Sequence, residues 1–205
     1  MTVRMQQFVA TAALVLMPAF LQAQAAKKPA TPAKPGAAAP AKPTGVPQPE
    51  LIIDTAKGTI VVQLFPDTAP KSVDHILKLV NNGFYRNQRV IRIVPNQIVQ
   101  FGDQQSRDMT LRDWWGRGPK SGSGNPIGVA EISKKHLHTK GALGLAHAGD
   151  PKSADSQMYI TTRALPNLDG KYTVIGQVTS GMDVVAKLQV TDVIKNITAK
   201  GVPGT

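Results

Sequence analysis

The chain has 205 residues, enough for one domain of ordinary size with extensions but not for two. Its 24 Lys and Arg outweigh 13 Asp and Glu for a net charge of +11, yet residues 1–49 hold five of the basic residues and no acid, so the remainder carries 19 against 13, a surplus of +6. That surplus forms no basic helical stripe and no run interleaved with aromatics, which leaves nucleic-acid binding without a motif, and the absence of cysteine excludes thiolate chemistry and a thiol-linked lipid anchor while leaving the redox compartment open.

Residues 1–25 read as an export leader. Arg4 supplies the positive charge, and Phe8 to Leu21 is an apolar run too short for a bilayer span and interrupted by Pro18. Ala23-Gln24-Ala25 offers small residues at a cleavage spacing. The mature chain is expected to begin near Ala26, in the periplasm or otherwise outside the cytoplasm, with no stable membrane insertion after processing. Residues 26–49 are Ala, Pro, Lys, Gly and Thr with almost nothing apolar beyond alanine, a composition that cannot bury a core and predicts an extended, solvated, disordered linker with no assigned partner.

At Glu50 the texture changes. Leu51–Thr55 and Thr59–Leu64, joined by Lys57-Gly58, predict a β-hairpin. Val73, Ile76, Leu77 and Val80 recur at helical spacing, with Asp67 or Thr68 as the expected N-cap and Gly83 placed to end the helix. Short strands follow at 90–94, 98–102, 142–146, 158–161 and 174–178; a second short helix at 182–188 precedes a last strand at 192–197. Many short strands with two helices predict an antiparallel barrel or sandwich rather than βαβ units. Residues 104–128 form a long Gly/Pro-containing loop whose paired Trp114 and Trp115 predict packing onto the body. The folded domain is expected over 50–199, with 200–205 as a tail.

Alternation gives several strands two chemically distinct faces. Arg92 lies opposite Ile91 and Ile93; Ile98 and Gln100 share a side; Gln157 and Tyr159 share a side while Met158 and Ile160 point the other way. If the strands are adjacent, one face is aliphatic core and the other a shallow groove with an apolar floor and a rim of guanidinium and amides.

Ile91-Arg92-Ile93-Val94-Pro95, Gln100-x-Gly102-Asp103, Gly141-Ala142-Leu143-Gly144-Leu145-Ala146, Asp155-Ser156-Gln157-Met158-Tyr159-Ile160, Leu168-Asp169-Gly170-Lys171 and Val174-Ile175-Gly176-Gln177-Val178 occur in this order. Together with Leu64-Phe65-Pro66-Asp67, they resemble the successive signatures of the cyclophilins, over about Leu51 to Ile197. The resemblance implies a mainly all-β fold, a closed eight-stranded antiparallel barrel with a helix over each opening. It also implies peptidyl-prolyl cis-trans isomerase activity on proline-containing polypeptides. With the leader, the expected substrates are unfolded exported proteins; the chain is expected to be a monomer that needs no cofactor and no metal.

Residue by residue, the resemblance assigns Arg92 to donation at the prolyl nitrogen and Gln100 to orienting that arginine and meeting substrate backbone. Gln157 matches another substrate-facing amide, Ala146 and His147 the stretch that receives the peptide main chain, and Ile98, Tyr159 and Leu168 the apolar walls around the proline ring. An amide-held X–Pro bond has a barrier of roughly 18–20 kcal/mol, and a guanidinium stays charged at physiological pH, so little pH dependence is expected from that group. There are departures: Gln97 stands where many members carry Phe, Asn167 where some carry Trp, Tyr172 where others carry His, and His147 in place of the usual Asn. A lost aromatic wall removes contact worth about 1–3 kcal/mol, which predicts a working but slow isomerase and weak binding of the cyclic-peptide inhibitors that favour the Trp.

Two other classes compete. The same groove could hold proline-containing peptides or unfolded chains without catalysis, a reading that Gln97 supports and the joint presence of Arg92, Gln100 and Gln157 opposes. A metal site would use His136 and His138, two residues apart, with His147 and Glu131, but Lys134, Lys135 and Lys140 surround the pair and no acidic cluster completes a shell. Hydrolysis lacks both a Gly-x-Ser-x-Gly turn and a cysteine.

Overall fold

The computed structural model describes residues 48–201. The leader expected at 1–25 and all but the last two residues of the expected linker lie outside the described residues, as do 202–205. The folded body begins earlier than the expected linker boundary: Pro49 is buried and its carbonyl accepts from the Leu64 N–H at 2.8 Å.

The opening hairpin forms as its alternation predicts. In β1 (Glu50–Thr55) and β2 (Gly58–Leu64), Leu51, Ile53, Ile60, Val62 and Leu64 all point into the core. Their turn is closed by the Thr55 hydroxyl, which donates to the Gly58 carbonyl at 2.7 Å and accepts from the Lys57 N–H at 3.0 Å. The remaining strands are β3 (Gln88–Arg89), β4 (Arg92–Val94), β5 (Ile98–Phe101), β6 (Ala142–Leu145), β7 (Met158–Thr161), β8 (Val174–Ser180) and β9 (Val193–Lys200). β9 thus runs through Lys200, one residue into the expected tail.

All ladders are antiparallel, in the order β3-β9-β1-β2-β8-β6-β7-β5-β4. The single strand expected at 90–94 is broken and begins earlier, at Gln88. Its first half pairs with β9 and its second half with β5. At the break the Val90 N–H donates to Asp192 O and the Ile91 N–H to Gln100 O, both at 2.9 Å, so the backbone hands its hydrogen bonds from one end of the sheet to the other. Counting β3 and β4 as one kinked strand, eight strands form a ring. Closing a twisted sheet demands such a bend, and a local break in pairing supplies it.

Two helices pack on the sheet, α1 (Pro70–Asn81) against β9 and α2 (Met182–Lys187) against β2. Val73, Ile76 and Val80 of α1 and Val184 and Val185 of α2 join one core with Phe101, Met158 and Ile160. Gly83, at φ +67°, follows α1 as expected. The N-terminus differs from expectation. Neither Asp67 nor Thr68 caps it: Pro70 sets the first turn, the N-cap Ala69 has no side-chain acceptor, Asp67 is paired with Lys135, and Thr68 donates to Phe65 O. The free N–H groups of Lys71 and Ser72 instead donate to the two carboxylate oxygens of Glu131, at 3.0 and 2.7 Å. A residue sixty positions away therefore does the work that local sequence usually does.

Replacing Glu131 with Ala should cost about 0.5–2 kcal/mol of stability by uncapping α1, read as a lower urea midpoint with an unchanged slope. Asp67→Ala, which leaves those N–H groups paired, should cost less.

Candidate active site

Register places the polar residues in one row. Arg92 pairs with Gln100 across β4 and β5, Gln100 with Tyr159 across β5 and β7, and Tyr159 with Gly144 across β7 and β6. The adjacent row, Ile93, Val99, Ile160 and Leu143, faces the core. Alternation therefore separates the two chemistries as the sequence predicts. Above the polar row lies a groove of ≈ 1120 Å³, and Arg92, Gln97, Ile98, Gln100, Tyr159 and Leu168 line it together with Ala146, His147 and Tyr172.

Tyr159 lies flat because its cross-strand neighbour is glycine: a Cβ on Gly144 would stand 2.5 Å from the phenol ring. The hydroxyl reaches the Nε2 of buried His138 at 2.9 Å, and the His138 Nδ1 lies 2.7 Å from Asp169 Oδ1. Asp169 also accepts the backbone N–H of His138. A carboxylate can only accept, so Nδ1 carries the proton and Nε2 accepts the tyrosine O–H. Burial, with Tyr172 and Asp169 nearby, pushes Tyr159 far above the ordinary tyrosine range, so it stays a neutral phenol. Burial would raise Asp169, but the two N–H donors of His138 outweigh it and hold the carboxyl below its usual range. Tyr172 stands edge-on to Tyr159 at 5.9 Å and stacks on His147 at 4.3 Å, while His147 Nε2 donates to Lys171 O at 3.1 Å.

Three expected placements are corrected. Gln157 does not line the groove; it sits behind Gln100, whose Nε2 donates to Gln157 Oε1 at 2.9 Å, and its own Nε2 bonds Ser121. Among the described residues no hydrogen bond joins Gln100 to the Arg92 guanidinium, so Gln100 faces Arg92 by register alone. Asn167 is exposed on a 3-10 turn (Pro166–Leu168) and also lies off the groove, because that turn directs Leu168 inward in its place. Glu131, His136 and His138 do not converge: the first caps α1, the second stacks on Phe65 at 3.6 Å, and the third holds Tyr159.

The long loop contributes residues that sequence reasoning missed. It contains two 3-10 turns, Gln104–Arg107 and Met109–Trp114, and brings Arg112, Asp113, Trp115 and Arg117 to the groove. Leu165 and Val190 line it as well. Of the paired tryptophans, Trp115 packs, with 8% exposure, whereas Trp114 remains 63% exposed. Two carboxylates hold the loop. Fully buried Asp103 accepts from the Gln105 N–H at 2.7 Å and the Gly116 N–H at 2.6 Å; burial outweighs these donors and raises its carboxyl above the usual range. Asp155 accepts from Ser123 Oγ at 2.6 Å and Gly124 N at 3.1 Å and bonds His75 of α1 at 3.0 Å.

Burial acts to raise Asp155, but the hydrogen bonds from His75 and Ser123 prevail and lower it. The stabilisation it provides is therefore complete above the unfolded aspartate value, about 3.9, and is lost as pH falls through the folded value. Asp155→Asn should be less stable than wild type by about 1–3 kcal/mol at neutral pH. In urea titrations the two should converge as the medium is acidified below the unfolded value; a gap that persists in acid would remove the carboxylate from this role.

The sequence model for cyclophilin type peptidyl-prolyl cis-trans isomerases matches residues 50–202. A probable peptidyl-prolyl cis-trans isomerase of Brucella suis is 37% identical over 143 residues, 70% of this chain and 72% of the relative. An Arabidopsis thaliana peptidyl-prolyl cis-trans isomerase is 37% identical over 149 residues, 72% of this chain and 84% of its own. The crystal structure of a cyclophilin type isomerase from Cryptosporidium parvum superposes with a TM-score of 0.64 at 25% identity, covering 76% of this chain and 99% of that one; a second structure of the same protein, in the presence of the dipeptide Ala-Pro, gives 0.63 at 24%. The kinked eight-strand ring, the Arg-Gln-Tyr row across it and the match over three quarters of the length agree, and the chain belongs to the cyclophilin-type peptidyl-prolyl cis-trans isomerases.

Proposed function

We propose that this isomerase acts on exported polypeptides during their folding, binding an X–Pro segment in the groove with the Arg92 guanidinium aimed at the prolyl nitrogen. The observation that carries this is the single row of Arg92, Gln100 and Tyr159 beside an apolar floor of Ile98 and Leu168. The crystallisation of a protein of the same fold in the presence of Ala-Pro supports a proline-containing ligand.

In the planar ground state the prolyl nitrogen shares its lone pair with the carbonyl. As the bond twists, that lone pair returns to the nitrogen, and a fixed N–H donor then binds it more strongly than before. Nothing is cleaved and no proton is transferred. Ile98, Leu168 and the ring of Tyr159 hold the pyrrolidine still, so that the preceding carbonyl rotates against a fixed partner. The phenol remains protonated and bonded to His138, which keeps its ring in one orientation. The Ala146 N–H is already taken by Gln157 O at 2.9 Å, so the peptide main chain would meet the Ala146 carbonyl and the His147 N–H. Gln97 on the wall gives the ring less apolar contact than an aromatic would, in keeping with a modest rate.

Export rests on residues 1–25, and unfolded envelope or secreted proteins follow as the substrates of a monomer. Fractionation should find the protein outside the cytoplasm, with an intact mass beginning near Ala26; a cytoplasmic product retaining Met1 would overturn export without touching the chemistry.

Exchange spectroscopy on an X–Pro peptide tests the chemistry. Arg92→Ala should lower kcat/KM by about 10²- to 10³-fold, and Arg92→Lys should recover little of it because a point charge does not reproduce the planar donor fork. An exchange rate that wild-type protein leaves unchanged would reduce the groove to a binding surface.

A further inference from the structure

We infer that the groove selects X–Pro segments carrying an acidic side chain close to the proline, through Arg112 and Arg117 of the long loop acting beside Arg92. This rests on the isomerase reading above and names the substrate class of that same groove.

The domain has seven arginines, and several are occupied by the fold. Arg89 donates to Thr191 O, Arg107 to Arg86 O and Phe84 O, and Arg163 to Asn96 O. The three that line the groove are different: Arg92, Arg112 and Arg117 are exposed and enter no ion pair among the described residues. Against these three cations the groove presents a single carboxylate, Asp113. A cleft lined by one sign of charge concentrates its field and recruits the opposite sign. Guanidinium forks suit a carboxylate, which they can bind through two parallel hydrogen bonds.

The loop that carries two of these charges is held in place. Fully buried Asp103 binds the N–H of Gly116, immediately before Arg117, and Trp115 is buried between Arg112 and Arg117 in sequence, with its ring N–H donating to Asp108 O at 3.2 Å. The two guanidiniums therefore extend from an anchored backbone rather than from a free tip. Gly116 also abuts the site: a Cβ there would stand 3.4 Å from Ile91 Cδ1 and 3.7 Å from Gln157 Oε1. An extended peptide advances about 3.3–3.6 Å per residue, so a proline near Arg92 puts its immediate neighbours within reach of this rim. The apolar floor admits the ring and the rim holds the charge, a combination that fits an acidic proline peptide rather than a polyanion.

The test compares kcat/KM for one neutral Ala-X-Pro-Ala peptide with versions carrying Glu at each position flanking the proline, on the full chain at low salt. At one flanking position Glu should raise kcat/KM about three- to tenfold. Between about 0.02 and 0.5 M NaCl that ratio should fall towards one, since screening removes exposed charge attraction. In Arg112→Ala/Arg117→Ala the ratio should approach one at low salt, and in Arg117→Glu it should fall further; these side chains are exposed, and the salt titration on wild-type protein stands even if a variant folds poorly. If the neutral peptide is accelerated and Glu gives no advantage at any position, selection of acidic segments is wrong and the isomerase reading stands. If wild-type protein accelerates neither peptide, the isomerase reading itself fails.

Discussion

Ring closure through the kinked segment Gln88–Val94 is the constraint on which the site depends. Two hydrogen bonds, from the Val90 N–H to one edge of the sheet and the Ile91 N–H to the other, pass the chain between β9 and β5. That transfer sets the register that puts Arg92 opposite Gln100, and through Gln100 opposite Tyr159. A one-residue slip would turn Arg92 towards the core and Ile93 into the groove, because side chains alternate with period two. Barrel closure and the placing of the guanidinium are one structural event.

Beneath the groove, fixed polar contacts hold what apolar packing alone would leave free to rotate. Asp169 orients His138 and His138 holds the Tyr159 hydroxyl, while Gly144 leaves the space for the ring to lie against β6. On the other side Gly102, at φ +103°, accepts the Ser156 hydroxyl at its carbonyl, and a Cβ there would stand 2.3 Å from Ser156 O. Tyr85 donates to the same Ser156 carbonyl at 3.0 Å. These buried groups are paired, so the low dielectric around them stiffens the floor. An isomerase gains from such rigidity, since a wall that yields would follow the twisting bond instead of opposing its ground state.

The long loop is attached by two carboxylates, one fully buried and one half-buried, rather than by a core of its own. Asp103 just before its start and Asp155, which precedes β7 and reaches Ser123 and Gly124 near its end, gather backbone N–H groups and a hydroxyl from turns that would otherwise be solvated. Its outer face leaves Met109, Leu111 and Trp114 partly in solvent, in contrast to the interior of the barrel. The groove therefore has two kinds of wall. Strands supply the reactive row, and the loop supplies charge that can vary without disturbing that row.

Alternation in Ile98–Phe101 and in Met158–Ile160 is sufficient to sort groove from core, because a strand leaves each side chain only two directions. The hairpin, both helices and the places of most strands along the chain are legible for similarly local reasons, and the family signatures supply ring topology and Arg92. Local sequence could not say that Glu131 caps α1, that Glu131, His136 and His138 serve three separate partners, or that Gln157 stands behind Gln100 while Asn167 points away. Those outcomes depend on residues tens of positions apart meeting at distances near 3 Å. Nor could composition reveal that Arg112 and Arg117 meet Arg92 at one groove, since charge in a loop acquires a place only when buried anchors such as Asp103 and Trp115 give the loop one.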